Sequence, residues 1–204
     1  MTTRRPCDTF RRAMNVRKLH DRAAGRIEVI TGGMFSGKSE ELVRRLVRAQ
    51  IARQRIQVFK PITDSRHPPE ILITRDSREL SASSVADSAA LRDAIDEQIE
   101  VVGIDEAQFF DAGLVDLVTE LADAGVRVIV AGLDQDYLRR PFGPMPAIMA
   151  LAEFVDKTHA VCVQCGRAAH YSQRIAGGAD QVLVGDVEAY EARCRECFVP
   201  YSGS

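Results

Sequence analysis

The chain has 204 residues, of which 46% are apolar and 27% are charged, and its formal net charge is −2. This length accommodates one substantial domain with a small appended module and excludes two large domains. The near-neutral charge gives no general attraction to nucleic acid or to anionic membranes, so binding of that kind would require a local basic patch.

The N-terminal segment is rich in arginine and has no apolar run before Ile27. We predict that residues 1–25 form a basic, disordered extension. A targeting leader is the alternative interpretation, although Asp8 and the scarcity of serine do not fit one. No later segment reaches the ~20 apolar residues of a membrane span, so we expect a cytoplasmic protein without a membrane partner.

Short β-branched runs then alternate with amphipathic stretches. Four of the runs have the composition of strands buried on both faces: 27–31, 56–59, 101–104 and 126–131. Residues 39–53 and 114–121 carry apolar side chains at helical spacing, and Ala124-Gly125 follows the second stretch as a helix stop. Strands that alternate with helices imply right-handed crossovers and a mostly parallel sheet. The sequence predicts an α/β domain over residues 26–156.

A glycine-rich stretch, ITGGMFSGKSE, joins the first predicted strand to the first predicted helix. Its spacing is that of a phosphate-binding loop, in which glycines let main-chain N–H groups curl around phosphate oxygens at a helix N-terminus. Lys38 can reach the β- and γ-phosphates, and Ser39 can offer its hydroxyl to Mg²⁺. A glycine-rich turn without a ligand is the plainer alternative. The predicted ATP-binding loop comprises Gly32, Gly33, Met34, Phe35, Ser36, Gly37, Lys38 and Ser39.

Two adjacent carboxylates end a later apolar strand, in the run VVGIDE. In phosphate-loop proteins an acid at this place contacts the magnesium shell, so Asp105 is the predicted magnesium partner of Ser39. Adjacent residues of a strand point to opposite sides, so Glu106 has a different task. A carboxylate beside the γ-phosphate can accept a proton from an attacking water or substrate hydroxyl, and we predict Glu106 as this base. A solvated acidic turn is the alternative.

Two functional classes use such a site. One is a P-loop ATPase with a zinc ribbon that acts on DNA, in which a strand ending in Asp-Glu activates water. Such motors usually need two α/β domains or an assembly, whereas this chain has room for one such domain. The other class is a small-molecule kinase, which needs a closed pocket that excludes water from the γ-phosphate. The presence or absence of a substrate pocket therefore separates the two classes.

Two Cys-x-x-Cys pairs lie near the C-terminus, Cys162 with Cys165 and Cys194 with Cys197. Four thiolates form a closed tetrahedral zinc site with no position left for water, so we predict a structural zinc ion. The stretch between the pairs is longer than in a usual zinc ribbon, which suits a loop tied at both ends. After about Lys157 the sequence changes to short alternating runs that predict short strands. We therefore place a second, small domain at residues 157–204.

Disulfide pairing and a DNA-binding ribbon are the alternatives for the cysteine pairs. Disulfides are rare in a reducing compartment. A surface that follows a phosphate backbone is normally more basic than this segment, which contains four acidic residues: Asp180, Asp186, Glu188 and Glu191.

Taken together, these residues resemble the zinc-containing, P-loop type of thymidine kinase found in bacteria and in the animal cytosol. The resemblance runs from about residue 25 to residue 201. It is carried in order by GRIEVITGGMFSGKSEELVRRL, FKPITDSR, GIDEAQFF, VIVAGLDQDYLRRPFG, AVCVQCGRAAHYSQR and CRECF. The combination of residues 34–39 with residues 105–110 is specific, whereas neither segment alone would be. The chain departs from the commonest family wording at Gly33, where proline is usual, and at Glu40, where threonine is usual.

The resemblance implies a RecA-like, parallel-sheet P-loop domain and a small zinc-binding β domain that carries a lasso loop. It implies that Glu106 takes the proton from the thymidine 5′-hydroxyl, which attacks the γ-phosphate of ATP. The ATP site would also include Asp105, Glu106, Ala107, Gln108 and Arg66. The nucleoside site would comprise Met34, Phe109, Leu133, Phe142, Ser172 and Tyr190, together with the lasso residues Gln181, Val182, Leu183, Val184 and Gly185.

The resemblance also implies the partners of the protein. They are ATP with Mg²⁺, thymidine, the feedback inhibitor thymidine triphosphate and further copies of the chain in a homotetramer. Nucleic acid is not an expected partner. The implied role is the production of thymidine monophosphate for nucleotide salvage.

Overall fold

A computed structural model describes residues 25–62, 71–73, 79–175 and 189–200. The basic extension, Arg66 and the lasso residues 181–185 lie outside the described residues. The helices are α1 (Lys38–Ile51), α2 (Ser88–Ala94), α3 (Gly113–Asp123) and α4 (Met145–Leu151). The strands are β1 (Arg26–Thr31), β2 (Ile56–Pro61), β3 (Ile71–Ile73), β4 (Glu79–Ser81), β5 (Ser83–Val85), β6 (Val101–Ile104), β7 (Arg127–Gly132), β8 (Phe154–Lys157), β9 (Ala160–Val161), β10 (Ala168–Ala169), β11 (Tyr171–Arg174) and β12 (Tyr190–Arg193).

The main sheet has six strands in the order β5-β2-β6-β7-β1-β8, and every neighbouring pair is parallel. The prediction of an α/β fold with a parallel sheet is confirmed, and the four predicted strands are present with end shifts of at most two residues. Strand β7 lies between β1 and β6, which is a RecA-like arrangement. Thr31 pairs with Gly132 and Ile104 pairs with Val130, so the loops after β1, β6 and β7 meet at one edge.

Helices cover both faces of this sheet, which explains why its central strands are buried. On one face, α1 buries Leu42, Val43, Leu46 and Ala49 against apolar side chains of β1 and β7. On the other face, α3 buries Leu114, Leu117, Val118 and Leu121. The helix stop is also confirmed, because Ala124 follows α3 and Gly125 has a φ of 89°. Among the described residues, no helix is both long and apolar enough to cross a bilayer.

Short antiparallel pairs follow the main sheet. Strand β9 pairs with β10, and β11 pairs with β12. A small buried cluster connects the two pairs and consists of Ala160, Cys162, Ala169, Ala192 and Cys194. The predicted short alternating strands after Lys157 are therefore present in the described part of the chain. Strand β8, which precedes them, extends the main sheet and was not predicted from the sequence.

Candidate functional site

The predicted phosphate loop leaves the carboxyl end of β1 and enters α1. Gly32 has a φ of +141°, and a Cβ at this position would lie 2.2 Å from the carbonyl oxygen of Thr158. Gly37 precedes α1 with a left-handed backbone, at a φ of 79°. Glycine is favoured at both positions because each has a positive φ. At Gly32 it is favoured also because a side chain would clash with the Thr158 carbonyl oxygen. Phe35 also has a positive φ, of 65°, and is 51% exposed.

Hydrogen bonds hold the loop in a curled form. The carbonyl oxygen of Gly33 accepts from the Lys38 ammonium at 2.9 Å and from the Ser36 hydroxyl at 2.7 Å. The Thr158 hydroxyl lies 2.9 Å from the Thr31 carbonyl and 3.0 Å from the Ser36 hydroxyl. The chain segment after β8 thus braces the phosphate loop from its outer side.

Asp105 follows β6 and lies beside the phosphate loop. Its side chain is buried, and the Ser39 hydroxyl is close enough to favour its ionised form. Burial, together with the nearby charge of Glu106, raises the pKa of Asp105 to about 7, although the Glu106 N–H, the Ser39 hydroxyl and the charge of Lys38 act in the opposite direction. A divalent cation placed between Asp105 and Ser39 would favour the ionised carboxylate, so these two groups form a suitable magnesium-binding pair.

Glu106 has a different environment from Asp105. Its backbone is left-handed, with a φ of 49°, because the strand turns here into a short 3-10 segment, Ala107–Phe109. Its N–H donates to the Asp105 carboxylate at 2.9 Å, and its own carboxylate accepts from the Gln108 amide at 2.5 Å. The Gln108 amide therefore restrains the Glu106 carboxylate.

Residues predicted for the nucleoside site come from distant parts of the chain. Phe109 and Phe142 make an edge-to-face contact, with ring centroids 5.6 Å apart. The Met34 N–H donates to the Ser172 hydroxyl oxygen at 3.0 Å, which links the phosphate loop to β11. The Leu133 N–H donates to the Gln108 side-chain oxygen at 2.9 Å. An apolar, aromatic surface therefore lies next to the phosphate loop and the paired acids.

Tyr190, at the start of β12, contacts a buried cation. Its hydroxyl oxygen accepts from the Arg174 guanidinium at 2.5 and 3.2 Å. The same guanidinium stacks over the Tyr137 ring, 3.6 Å from its centroid, and Arg174 is only 3% exposed. An arginine between two tyrosine rings fixes the position of Tyr190 by both hydrogen bonding and cation–π contact.

The four cysteines converge as predicted. The sulfur atoms of Cys162, Cys165, Cys194 and Cys197 all lie within 4.8 Å of one another, and all four are free thiols. A tetrahedral zinc site with Zn–S bonds of about 2.3 Å would space its sulfurs by about 3.8 Å, so the cluster could hold a metal ion. Burial would raise the pKa of the Cys162 thiol, but hydrogen bonds from the Cys194, Gln164 and Cys165 N–H groups lower it to about 6. This favours the thiolate, which is the form that binds metal.

Comparison with known proteins accounts for this combination of elements. A family model described as thymidine kinase matches residues 25–198, which include the phosphate loop, the paired acids and all four clustered cysteines. The chain belongs to the thymidine kinase family. It is 51% identical to a thymidine kinase of Bacteroides fragilis over 177 residues, which cover 87% of this chain and 88% of the relative.

Other members of the thymidine kinase family match over a similar length. A thymidine kinase of Bacteroides thetaiotaomicron is 50% identical over 182 residues, covering 89% of this chain and 91% of the relative. A thymidine kinase of a Rhodothermus species is 52% identical over 181 residues, covering 89% and 84%. The match therefore extends over nearly the whole length of these relatives, and the family resemblance inferred from the motifs is confirmed.

Most of the residues predicted for a thymidine kinase site lie at this edge of the sheet or contact it. Arg66 and residues 181–185 lie outside the described residues, so their roles remain predictions. Three further contributors carried no sequence signal as site residues: Thr158, Tyr137 and Arg174. Thr158 follows a strand that was not predicted, and Arg174 and Tyr137 meet only in the folded chain. Gln108 was predicted in the ATP site, but its side-chain partners are Glu106 and Leu133.

Proposed function

We propose that this chain is an ATP- and Mg²⁺-dependent thymidine kinase. It transfers the γ-phosphate of ATP to the thymidine 5′-hydroxyl and releases thymidine monophosphate and ADP for nucleotide salvage. The observation that carries the proposal is the thymidine kinase family match across residues 25–198, because this segment contains both the predicted phosphate loop and the residues proposed for the nucleoside site. The match gives no support to the alternative of a DNA-acting ATPase.

The phosphate loop binds the ATP triphosphate in this proposal. Main-chain N–H groups of residues 32–39 surround phosphate oxygens, and the α1 N-terminus adds partial positive charge. The Lys38 ammonium exchanges its contact with the Gly33 carbonyl for the β- and γ-phosphates. Ser39 and Asp105 would hold Mg²⁺, which would neutralise charge on the phosphate oxygens. Ala107, Gln108 and Arg66 complete the proposed ATP site, Gln108 through its main chain, because its side chain is engaged by Glu106 and Leu133.

Glu106 is the proposed catalytic base. In this proposal its carboxylate, which accepts a hydrogen bond from the Gln108 amide, faces the acceptor alcohol. Removal of the proton from the thymidine 5′-hydroxyl readies that oxygen for attack on the γ-phosphorus, and ADP leaves from the opposite side. The bond to the 5′-oxygen forms as the bond to the β,γ-bridging oxygen breaks.

Thymidine occupies the adjoining apolar pocket in this proposal. A flat pyrimidine suits the edge-to-face pair of Phe109 and Phe142. Ser172 lines the methyl end of the base, and lasso residues 181–185 close over it through main-chain groups. Further pocket residues are Met34, Leu133 and Tyr190.

A structural zinc ion held by the four clustered thiolates anchors the base of the lasso. Four sulfur ligands leave no coordination position for water, so this ion does not take part in phosphoryl transfer. We assign residues 1–25 to an extension, 26–156 to the phosphate-loop domain and 157–204 to the zinc and lasso domain. A cytoplasmic location is consistent with four free, clustered thiols, which a reducing compartment preserves.

Two regulatory features complete the proposal. Thymidine triphosphate is a suitable feedback inhibitor, because it carries both a nucleoside and a triphosphate, and the Met34–Ser172 hydrogen bond joins the two corresponding halves of the site. Assembly into a homotetramer is supported by the outer strand β8, where Phe154 is 55% exposed and Val155 is 42% exposed. An apolar edge strand of this kind can be covered by another copy of the chain.

A nucleoside panel tests the proposed function. The purified chain is assayed with γ-labelled ATP, Mg²⁺ and individual nucleosides, and label is expected in thymidine monophosphate. Glu106→Gln should retain ATP binding and lose at least ~10² in turnover. Absence of label in every deoxyribonucleoside would refute the kinase assignment, and ATP consumption that follows added single-stranded DNA would favour the DNA-acting class.

A further inference from the structure

The Gln108 side chain lies between the proposed base and the nucleoside pocket. It belongs to the 3-10 segment after β6 and is only 2% exposed. Its amide nitrogen donates to the Glu106 carboxylate at 2.5 Å, and its amide oxygen accepts from the Leu133 N–H at 2.9 Å. One buried carboxamide thus bridges the end of β6 and the residue that follows β7.

The partners determine the orientation of this amide. The Leu133 N–H can only donate, so it must face the oxygen of Gln108 and not its nitrogen. The NH₂ group is then directed at Glu106, whose ionised carboxylate accepts hydrogen bonds. A flipped amide would place two donors together at Leu133 and two acceptors together at Glu106. The observed orientation is therefore the one that satisfies both neighbours.

Two glycines make room for Gln108. A Cβ at Gly132 would lie 2.8 Å from the Gln108 side-chain oxygen and equally close to the Met145 sulfur. A Cβ at Gly143 would lie 2.2 Å from the Gln108 carbonyl oxygen, and Gly143 has a φ of +51°. The end of β7 and the segment before α4 therefore pack closely against both the side chain and the main chain of Gln108. Such packing leaves the carboxamide little freedom to turn.

We propose that Gln108 is a positioning residue for phosphoryl transfer, fixing the Glu106 carboxylate to the wall of the nucleoside pocket through Leu133. This inference rests on the proposed role of Glu106 as base. Glu106 leaves β6 through a left-handed turn, so its side chain needs a restraint from outside its own strand. A neutral amide restrains it without adding a charge beside the γ-phosphate. Misplacement of a reacting group by about 1 Å can lower the rate by ~10²-fold, so loss of this restraint should lower kcat.

Two substitutions distinguish the contributions of the two Gln108 hydrogen bonds, one to Glu106 and one to Leu133. Gln108→Met keeps a side chain of similar length and removes both hydrogen bonds. Gln108→Glu keeps an acceptor for the Leu133 N–H but replaces the donor facing Glu106 with a second carboxylate. Both variants should lower kcat by about 10- to 100-fold and leave the KM for ATP within about threefold. If either variant fails to fold, the other still tests the proposal.

Gln173 supplies a matched control. It is also a buried glutamine, 8% exposed, whose side-chain oxygen accepts from the Val199 N–H at 2.8 Å and whose amide donates to the Arg174 carbonyl at 3.1 Å. Gln173→Met should reduce the free energy of unfolding about as much as Gln108→Met does, yet leave kcat unchanged. Equal losses of kcat in Gln173→Met and Gln108→Met would mean that general destabilisation explains the effect of Gln108→Met. That result would overturn the proposal.

A double-mutant cycle gives the decisive measurement, with label transfer to thymidine as readout. If Gln108 acts through Glu106, Gln108→Met has no further effect on the residual rate of Glu106→Ala. A full additional loss in that background would overturn the positioning role while the kinase assignment stands. Normal turnover of Glu106→Ala would instead remove the base itself, and with it both the proposed mechanism and this inference. Normal turnover of Gln108→Met alone would overturn only the inference.

Discussion

The main-chain N–H of Met34 donates a hydrogen bond to the hydroxyl of Ser172 at 3.0 Å, across a separation of 138 residues. Met34 belongs to the phosphate loop, and Ser172 lies on β11, whose partner strand β12 leads directly into the second cysteine pair. The bond therefore joins the predicted phosphate loop to the part of the chain that carries the clustered thiols. Ser172 is 6% exposed, so solvent cannot readily replace its hydroxyl as the acceptor.

Loss of the Ser172 hydroxyl should loosen the phosphate loop. In Ser172→Ala the Met34 N–H has no side-chain acceptor, and an unsatisfied, partly buried donor costs about 1–3 kcal/mol. We expect the KM values for ATP and thymidine to rise together, because the bond lies between their sites. Steady-state kinetics with each substrate varied in turn measures this effect. Ser172→Thr keeps the hydroxyl and serves as the control, and unchanged KM values in Ser172→Ala would contradict the proposed link.

A buried carboxylate stabilises the opposite end of the same sheet. Glu28 accepts hydrogen bonds from the guanidinium groups of Arg26, Arg45 and Arg127, and its side chain is 8% exposed. We expect Glu28→Gln to lower the free energy of unfolding by about 3 kcal/mol, since it leaves cationic partners without their counter-charge. Urea unfolding of the variant measures the loss. Glu120→Gln, which removes one partner of the more exposed Arg92 pair, is the control and should cost less than about 1 kcal/mol.

The Glu28 contribution should depend on pH. Burial alone would raise the pKa of this carboxyl, but hydrogen bonds and charge from Arg127 and Arg26 outweigh it and lower the pKa to about 2 from an ordinary 4.5. The stabilisation is therefore fully present above about pH 4.5 and is lost as the pH falls toward 2. Because Glu41 titrates over the same range, the stability difference between the native chain and Glu28→Gln isolates Glu28. A difference that stayed constant from pH 7 to pH 2.5 would contradict this assignment.

Removal of metal should destabilise the chain. The four thiols lie in β9–β12 and the adjoining turns, which have only a small apolar cluster of their own. Chelation, or Cys165→Ser, should release about one zinc ion per chain and lower the Tm by about 10 °C, as for a loss of about 3 kcal/mol. Elemental analysis and calorimetry measure the two effects. Cys7→Ser is the matched control, and equal zinc content in the two serine variants would exclude Cys165 as a ligand.

The shape of the phosphate loop should depend on Gly32. In Gly32→Ala the new methyl group would overlap the Thr158 carbonyl oxygen, so the loop must move. We expect ATP affinity to fall by more than about tenfold, because the main-chain N–H groups of the loop would no longer point toward the same phosphate oxygens. Gly166 also has a positive φ, but a Cβ at this position would meet nothing within 4 Å. Gly166→Ala should therefore cost about 1–2 kcal/mol of stability and leave ATP affinity intact, as equilibrium ATP titration can establish.

Local sequence patterns predicted four of the six strands of the main sheet, and the strand and helix on either side of the predicted phosphate loop. The stripe of Leu42, Val43 and Leu46 has helical spacing and forms the buried face of α1. The apolar run before Asp105 has the composition of a strand covered on both faces, and β6 is buried along its length. In both elements, the apolar pattern that predicts the helix or strand lies within that element itself.

Contacts between distant segments could not be predicted in the same way. All four residues of β8 are exposed, and its two apolar residues, Phe154 and Val155, are too few to form a recognisable strand pattern, so the strand forms by pairing with β1. The Thr158 hydroxyl reaches the phosphate loop only because that pairing brings it there. The partners of Gln108 likewise depend on β7 lying beside β6. Such relationships arise from strand order, which periodicity within one segment does not encode.

The position of β7 between β1 and β6 also fixes the distance between the loops that follow these two strands. Parallel neighbours are spaced by about 4.8 Å, so one intervening strand separates the exits of β1 and β6 by about 10 Å. In the proposed reaction, the terminal phosphate, its cation and the incoming alcohol would lie across this gap. The backbone ladder, and not any side chain, sets this width. Descendants of this protein could therefore remodel the loop beyond Gly132 to accept other alcohols while the phosphoryl-transfer geometry stayed constant.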